Sequence, residues 1–366
     1  MTKILFVVSE DWYFLSHRFS LAKTLLNEGN DIYLLCSKSL DSNKIESAGI
    51  NVIPWNFRRD SRNPFQEILS ILDLYNVIRK IQPSIVYSVA LKPNLYSGIV
   101  SYFLSARKQI FAVGGLGYLF QEKNKSLIKN ISKYILKYSF SKQNSNLIVQ
   151  NSYDRDFFYN LKIPKENIHL IEGSGVDINQ FQYSPLKKFP CRVIFIGRLL
   201  YDKGINDFIN LSKRFEQNNN IEFIVAGDRD PQNPECVEEK TLDEWKITTK
   251  IKFLGRISNM NEAIANAHIV CFPSYHEGLP KALLEASSVG RPIVAYDIPG
   301  CRAIVQNDNN GYLVPLHNEE ELFNKVNYLF KNPEVLSSMG RNGRNLVLEK
   351  FSDTKIYSKI KLIIDN

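Results

Sequence analysis

Ile269-Val-Cys-Phe272-Pro-Ser-Tyr-His-Glu277-Gly-Leu-Pro-Lys-Ala-Leu-Leu-Glu285 is the stretch on which the reading of this chain turns. Its first four residues form an apolar run stopped by Pro273, the pattern of a strand buried on both faces. Gly278 breaks the chain, a helix is predicted from near Leu279, and Pro280 suits its first turn. Strand, short polar loop and helix make one half of a βαβ unit. The loop carries Glu277, and the helix carries Glu285 eight residues later. A helix N-terminus attracts anions through free N–H groups; Pro280 has none, which leaves Leu279, Lys281 and Ala282 as donors. Glu285 lies between Leu284 and Ala286 on a mostly apolar helix, so its carboxylate is predicted nearly buried and in need of a partner. A pair of sugar or ribose hydroxyls is one such partner, and a structural salt bridge is the other.

The same alternation runs outward in both directions. Strands are predicted at 3–9, 31–36, 51–55, 84–89, 109–113, 146–150 and 168–171, with helices near 16–28, 65–81, 93–106, 124–141 and 152–160. Glycines 173 and 175 and prolines 185 and 190 then interrupt the pattern. It restarts at Cys191-Arg-Val-Ile-Phe-Ile196 and continues with strands at 221–226, 250–254, 269–272, 292–295 and 312–314. The stretch 319–364 reads as helical throughout. Two doubly wound Rossmann-like domains with a hinge near 173–190 satisfy this α/β order. The expected boundaries are 1–173, 174–350 and a terminal helix, 351–366, crossing back to the first domain.

At 366 residues, 44% hydrophobic and 23% charged, the chain has the composition of a globular protein of two domains. Its five cysteines (36, 191, 236, 271 and 301) form no CxxC pair, which fits a reduced compartment and no zinc site. The first apolar run is too short for a signal peptide, and no run reaches the roughly 18 residues of a membrane span. The net charge of +8 lies wholly in one half: residues 1–173 hold 22 Lys+Arg against 14 Asp+Glu, and residues 174–366 hold 24 of each. The first half therefore calls for an anionic partner, whether membrane surface, phosphorylated substrate or nucleic acid.

In doubly wound sheets ligands bind beyond the carboxyl ends of the strands, and the polar motifs follow strands. Gly197-Arg198…Lys203-Gly204 places two cations beside a helix start, as a diphosphate requires. Gly227-Asp-Arg-Asp230 has the spacing of a divalent-metal motif, but basic phosphate ligands surround it, so no metal is expected. Gly255-Arg256 follows the next strand. Neither Gly114-Gly-Leu-Gly117 nor Gly173-Ser-Gly175 completes a dinucleotide fingerprint. In the first half, His17 and Arg18 are predicted to open a helix after the first strand. Arg58, Arg59 and Arg62 cluster after the third. Lys125, Lys129, Lys133 and Lys137 recur every four residues beside Leu127, Ile128, Ile131, Tyr134, Ile135 and Tyr138. That is a basic amphipathic helix, read either as membrane-surface binding or as a core-packed helix with a solvated lysine edge.

Taken together, Arg198, Lys203, Pro273-Ser274 and the Glu277/Glu285 pair resemble the retaining glycosyltransferases of family four, across essentially the whole chain. The resemblance implies the GT-B fold, two Rossmann-like domains facing across a cleft, and metal-free transfer with retention. It implies that Arg198 and Lys203 hold the donor diphosphate, that Glu277 contacts the transferred sugar and that Glu285 holds the ribose. Arg256, Gly278, Leu279 and Lys281 join them as donor-binding residues. Catalytic roles fall to Glu277, His17, Arg198 and Lys203, and acceptor binding to His17, Arg18, Arg58, Arg59, Arg62, Gly115 and Gly117. Within the family the chain looks most like bacterial enzymes extending polyprenyl-diphosphate-linked glycans, through Ser16-His17-Arg18, Asn63-Pro64-Phe65, Gly115-Leu-Gly117, Arg229-Asp230 with Asn233-Pro234, and Glu277-Gly-Leu-Pro280. It departs from the pattern in lacking a glycine pair in the first loop and in carrying Lys281 where relatives have an uncharged residue.

The expected function is transfer of a hexose derivative from a UDP-sugar onto a lipid-diphosphate-linked saccharide. It belongs at the cytoplasmic membrane face, in O-antigen, capsule or glycoprotein glycan assembly. No side chain stands out as a covalent nucleophile, which favours same-face attack with the leaving phosphate taking the acceptor proton. One competing reading is a nucleotide-sugar epimerase or hydrolase, which turns over donor without acceptor. The other is a nucleic-acid binder, against which stands the absence of any RNA-recognition signature, zinc finger or arginine-rich tail.

Overall fold

A computed structural model describes residues 1–59, 61, 63–104, 106–115, 127–188 and 190–365. Arg62, Gly117 and Lys125, named above from the sequence, lie outside the described residues. The chain divides into two compact units, Met1–Ser174 with Ile356–Asn366, and Gly175–Lys355.

The first unit holds seven strands: β1 (Lys3–Glu10), β2 (Asp31–Ser37), β3 (Asn51–Pro54), β4 (Ile85–Val89), β5 (Lys108–Val113), β6 (Ser145–Val149) and β7 (Ile168–Leu170). They form one sheet in the order β3-β2-β1-β4-β5-β6-β7, and every pairing is parallel. The second unit repeats the plan with β8 (Cys191–Ile196), β9 (Ile221–Ala226), β10 (Lys252–Gly255), β11 (Ile269–Phe272), β12 (Ile293–Tyr296) and β13 (Gly311–Val314). Its order is β10-β9-β8-β11-β12-β13, again all parallel. Strand order reverses between β1 and β4 and between β8 and β11, the switch points where such sheets bind ligands.

The apolar runs form these strands because helices cover both faces. In the first sheet Ile4, Phe6 and Tyr87 face one core, which the helix Asp353–Asp365 joins through Ile356, Ile360, Ile363 and Ile364. Leu5, Val7 and Val86 face the other, closed by Leu74 and Ile78 of the helix Pro64–Ile81. That helix starts where the sequence marks it: Pro64 occupies its first turn, and the Asn63 side chain accepts from the Phe65 N–H.

Local structure departs from expectation at three places. The single helix expected over 16–28 is two, Asp11–His17 and Phe19–Asn27, so His17 closes a helix rather than opening one. The break falls at Arg18, whose φ of −134° leaves the helical region; its side chain turns inward, 3% exposed, and donates back to the His17 carbonyl. Pro280 is the N-cap of the helix Lys281–Val289, with extended ψ of 114°, and not a first-turn residue. Within the helix Leu127–Phe140, Lys129 is buried, Lys133 half-buried and Lys137 exposed, while Ile131, Tyr134 and Tyr138 are exposed, so the lysine edge is only partly solvated.

One capped helix carries a pH-sensitive carboxylate. Asn151 begins the helix Ser152–Asn160, its Oδ1 accepting from the Asp154 N–H at 2.8 Å and its Nδ2 donating to the Asp154 carboxylate at 3.2 Å. Burial pushes the Asp154 carboxyl from 3.8 up to about 6, against the pull of Asn151. The folded form thus holds a proton the unfolded form has lost. The resulting stability is fully present below pH 3.8 and is lost as the pH rises through about 6. It amounts to up to about 3 kcal/mol. Asp154→Asn is therefore expected to be more stable than wild type at pH 7.5, with the gap closing toward pH 4. Urea unfolding at the two ends of that range checks it, and a gap that does not change with pH would contradict it.

Candidate functional site

In the second unit four loops meet at the carboxyl edge of the sheet. The loop after β8 is drawn to that after β9 by the Leu199 N–H, which donates to the Asp228 carbonyl at 2.9 Å, and the Gly227 N–H ties on the loop after β10 through the Gly255 carbonyl at 3.0 Å. The loop after β11 is held to the first by the Tyr275 N–H on the Asp202 carbonyl at 2.9 Å. Two glycines make the closest approaches: a Cβ on Gly204, at φ +70°, would stand 1.8 Å from the Pro273 carbonyl oxygen, and one on Gly227, at φ +154°, 1.8 Å from that of Gly197. Only glycine accepts both such a backbone conformation and such an approach.

This framework brings Lys203 to Glu277, at 2.8 Å between Nζ and Oε1. Lys203 also donates to the His276 carbonyl at 3.1 Å, and the Ser274 hydroxyl approaches Glu277 Oε1 at 3.3 Å. The helix Pro299–Arg302 presses on the peptide after Glu277: a Cβ on Gly300 would lie 2.7 Å from the Glu277 carbonyl and 2.6 Å from that of Gly278. Both groups of the ion pair are largely shielded, so each polarises the other more than a surface pair does.

Arg198 does not stand beside a second cation with its charge unopposed. Its Nη1 donates to Asp230 Oδ2 at 2.6 Å, so the second acid of the Asp-x-Asp spacing is committed to an arginine. Glu285 is 9% exposed, as its apolar flanks imply, and its partner is Lys281 one turn earlier at 3.0 Å. Arg256 is exposed at the end of β10. Among the described residues no cluster of three or more His, Cys, Asp and Glu is arranged to hold a metal.

Asp207 carries no mark in the sequence. This buried acid, in the first turn of the helix Ile205–Lys213, accepts from the Tyr275 hydroxyl at 3.1 Å and from the Tyr296 hydroxyl at 2.6 Å. Burial raises both phenols, and the Asp207 carboxylate raises them further, so both stay protonated donors. Tyr275 is two residues from Glu277, so this clamp fixes the loop that presents Glu277. An acid in a first turn reads from sequence only as a partner of the helix dipole. Asp207→Leu is expected to lower transfer about tenfold or more by loosening that loop. Asp207→Asn, which keeps an acceptor, should recover most of it. Equal losses in the two variants would contradict the clamp.

In the first unit, His17 stacks on Tyr13 with ring centroids 4.2 Å apart, and its Nδ1 lies 3.2 Å from the Tyr13 carbonyl. The Tyr13 hydroxyl is 3.4 Å from where a Cβ on Gly114 would sit, so the helix Asp11–His17 adjoins the loop after β5. Gly115 continues that loop at φ +133°. Arg59 pairs with Glu10 at 3.6 Å. Arg58 is exposed, and its carbonyl accepts from Lys92 at 2.9 Å; Lys92 also pairs with Glu67 and so fixes the loop after β3. Between β4 and its helix, Ala90 is held at φ +75°, a region almost reserved for glycine, so backbone strain sits on the ligand edge of this sheet. Arg18 is buried, its guanidinium 5.9 Å from the Tyr87 ring centre, and is not presented to solvent.

Residues 177–346 match the family described as glycosyl transferases group 1, and residues 3–152 match that described as glycosyl transferase 4-like. The chain is 24% identical, over 95% of its length and 98% of the relative's, to the N,N'-diacetylbacillosaminyl-diphospho-undecaprenol alpha-1,3-N-acetylgalactosaminyltransferase of Campylobacter jejuni. It is 25% identical, over 93% of its length and 90% of the relative's, to the UDP-Gal:alpha-D-GlcNAc-diphosphoundecaprenol alpha-1,3-galactosyltransferase of Escherichia coli. The crystal structure of Anabaena Alr3699/HepE in complex with UDP-glucose superposes with a TM-score of 0.79, at 18% identity and over 100% of both chains.

Proposed function

The chain belongs to the GT-B glycosyltransferases of family four, and from that premise we propose that it moves a sugar from a UDP-sugar donor onto a polyprenyl-diphosphate-linked saccharide, with retention of configuration. The sugar is a HexNAc or a related hexose derivative, and the product feeds a bacterial O-antigen, capsule or glycoprotein glycan. Two full-length relatives named for acceptors of that class support the reading. The observation that carries it is the Lys203–Glu277 pair at 2.8 Å, set at the β8/β11 switch point where a nucleotide-sugar would enter.

In this reading Arg198 and Lys203 exchange their carboxylate partners for the donor diphosphate and stabilise the charge that grows on it as the glycosidic bond breaks. Glu277, released from Lys203, accepts hydroxyls of the transferred sugar. Glu285 takes the ribose hydroxyls, and Gly278, Leu279, Lys281 and Arg256 complete the donor pocket. The acceptor hydroxyl attacks from the face the phosphate leaves, and the phosphate takes its proton. His17, Arg58, Arg59 and Gly115 serve the acceptor; Arg18 acts by supporting His17. No metal ion is required, because the diphosphate charge is met by side chains.

No described helix is long and apolar enough to cross a membrane. The proposed acceptor is lipid-borne, so the protein works as a peripheral enzyme at the inner face of the cytoplasmic membrane, and nucleic acid is not its partner. The test is incubation with UDP-HexNAc or UDP-hexose and a diphosphate-linked saccharide, with the anomer of the product read by NMR and a parallel reaction in EDTA. An α-linked product formed equally in EDTA is expected. Donor turnover without acceptor would instead favour a hydrolase or epimerase.

A further inference from the structure

We propose that the unit comprising Met1–Ser174 and Ile356–Asn366 docks on an anionic bilayer through an aromatic ridge rather than a lysine stripe; the inference rests on the proposed lipid-borne acceptor and identifies the surface that reaches it. The ridge begins on the helix Leu127–Phe140. Ile131, Tyr134 and Tyr138, at helical spacing, are 51%, 71% and 47% exposed, while Lys129, Ser132 and Ser139 are buried. Leu136 and Phe140 of the same helix already pack into the core, so these three form a second apolar stripe, one that no core contact requires.

Packing fixes this orientation. A Cβ on Gly98 would lie 2.6 Å from the Ser139 hydroxyl, so the helix Leu91–Val100 approaches too closely for any large side chain at position 139. Leu136 and Phe140 fill the core beside Ser132 and Ser139, which leaves Ile131, Tyr134 and Tyr138 on the outer side of the helix. Lys133, expected on the solvated edge, lies 5.8 Å from the Phe157 ring centre.

The ridge extends beyond this helix. Tyr102 stacks on Tyr138 with centroids 4.4 Å apart and an interplanar angle of 12°, and its neighbour Phe103 is 74% exposed. Lys142 lies 4.9 and 5.3 Å from those two ring centres, and Lys137 is exposed beside them. Phenol rings edged by ammonium groups match the depth of lipid headgroups, where a ring is buried while its hydroxyl stays wet.

Charge selects the bilayer over a second copy of the chain. This unit holds 24 Lys+Arg against 15 Asp+Glu, a balance of +9, and the remainder holds 22 against 23, a balance of −1. Two such units face to face would repel, whereas an anionic leaflet attracts this unit and not the other.

The test is co-sedimentation of the full chain with vesicles of phosphatidylcholine alone or with 30 mol%, or about a third, phosphatidylglycerol. The wild type is expected on the anionic vesicles only. Tyr134→Ser combined with Phe103→Ser, both exposed positions, should reduce partitioning about tenfold or more. Lys137→Glu should reduce it several-fold, and neither variant should move the melting temperature. Both variants should keep wild-type transfer to a short-chain, water-soluble diphosphate-linked acceptor. Variants that sediment like wild type overturn the ridge. So does wild-type protein that binds neither vesicle, or a dimer in ultracentrifugation that the serine substitutions abolish. Sedimentation requires no donor or acceptor, so failure of every protein to use the soluble acceptor counts against the proposed reaction while the vesicle result stands by itself.

Discussion

Glu277→Ala is expected to lower kcat by about a hundredfold to a thousandfold, the range seen when one preorganised charge-stabilising group is removed from an active site. Glu277 is neither core nor helix cap; its bonds are to Lys203 at 2.8 Å and to the Ser274 hydroxyl at 3.3 Å. Losing them should leave the melting temperature within a few degrees of wild type, because a single half-buried pair contributes on the order of 1 kcal/mol. Lys203→Met should produce a comparable loss of transfer, and the double variant should be little worse than either single one, because the two groups act as a unit. Single-turnover rates with saturating donor, alongside thermal melts, check this. Transfer near wild type in Glu277→Ala would remove the residue from the chemistry and the proposed mechanism with it.

Gly204→Val is expected to be strongly destabilising. Its backbone is at φ +70°, and a Cβ would stand 1.8 Å from the Pro273 carbonyl oxygen and 2.7 Å from its carbon. Both partners are main chain, so no rotamer change relieves the clash. The αL penalty of about 1 kcal/mol adds to the displacement of two loops, for a total loss of more than about 3 kcal/mol. Because Gly204 both ends the turn Tyr201–Lys203 and precedes the helix Ile205–Lys213, the shift would reach Lys203 and Asp207 directly. A large fall in the urea midpoint together with lost transfer is the expected pair of readouts. Unchanged stability would mean the two loops can part freely, which the Asp207 clamp on Tyr275 argues against.

The site shows where local sequence stops informing. Glu285 on an apolar helix could be read as buried from Leu284 and Ala286 alone. Its pairing with Lys281 could not, since that depends on side-chain direction. Arg198 and Lys203 read as adjacent cations because they are five residues apart. In the fold each takes a different acid, Asp230 32 positions away and Glu277 74 positions away. Lysines at every fourth position of the helix Leu127–Phe140 suggested a wet edge or a membrane face, and in the fold Lys129 is buried while Lys137 is exposed.

The chain alone determined the doubly wound architecture, two sheets of parallel strands each ending in a polar loop. Apolar runs of four to eight residues between breakers can be buried only one way, with helices on both faces. The tertiary structure alone decided which charges meet at the sheet edge, that Asp207 holds Tyr275 and Tyr296, and which side of the helix Leu127–Phe140 faces out. Strand burial is a property of neighbours in sequence. Ion pairing and helix rotation are set by contacts between segments tens of residues apart, and no local pattern encodes them.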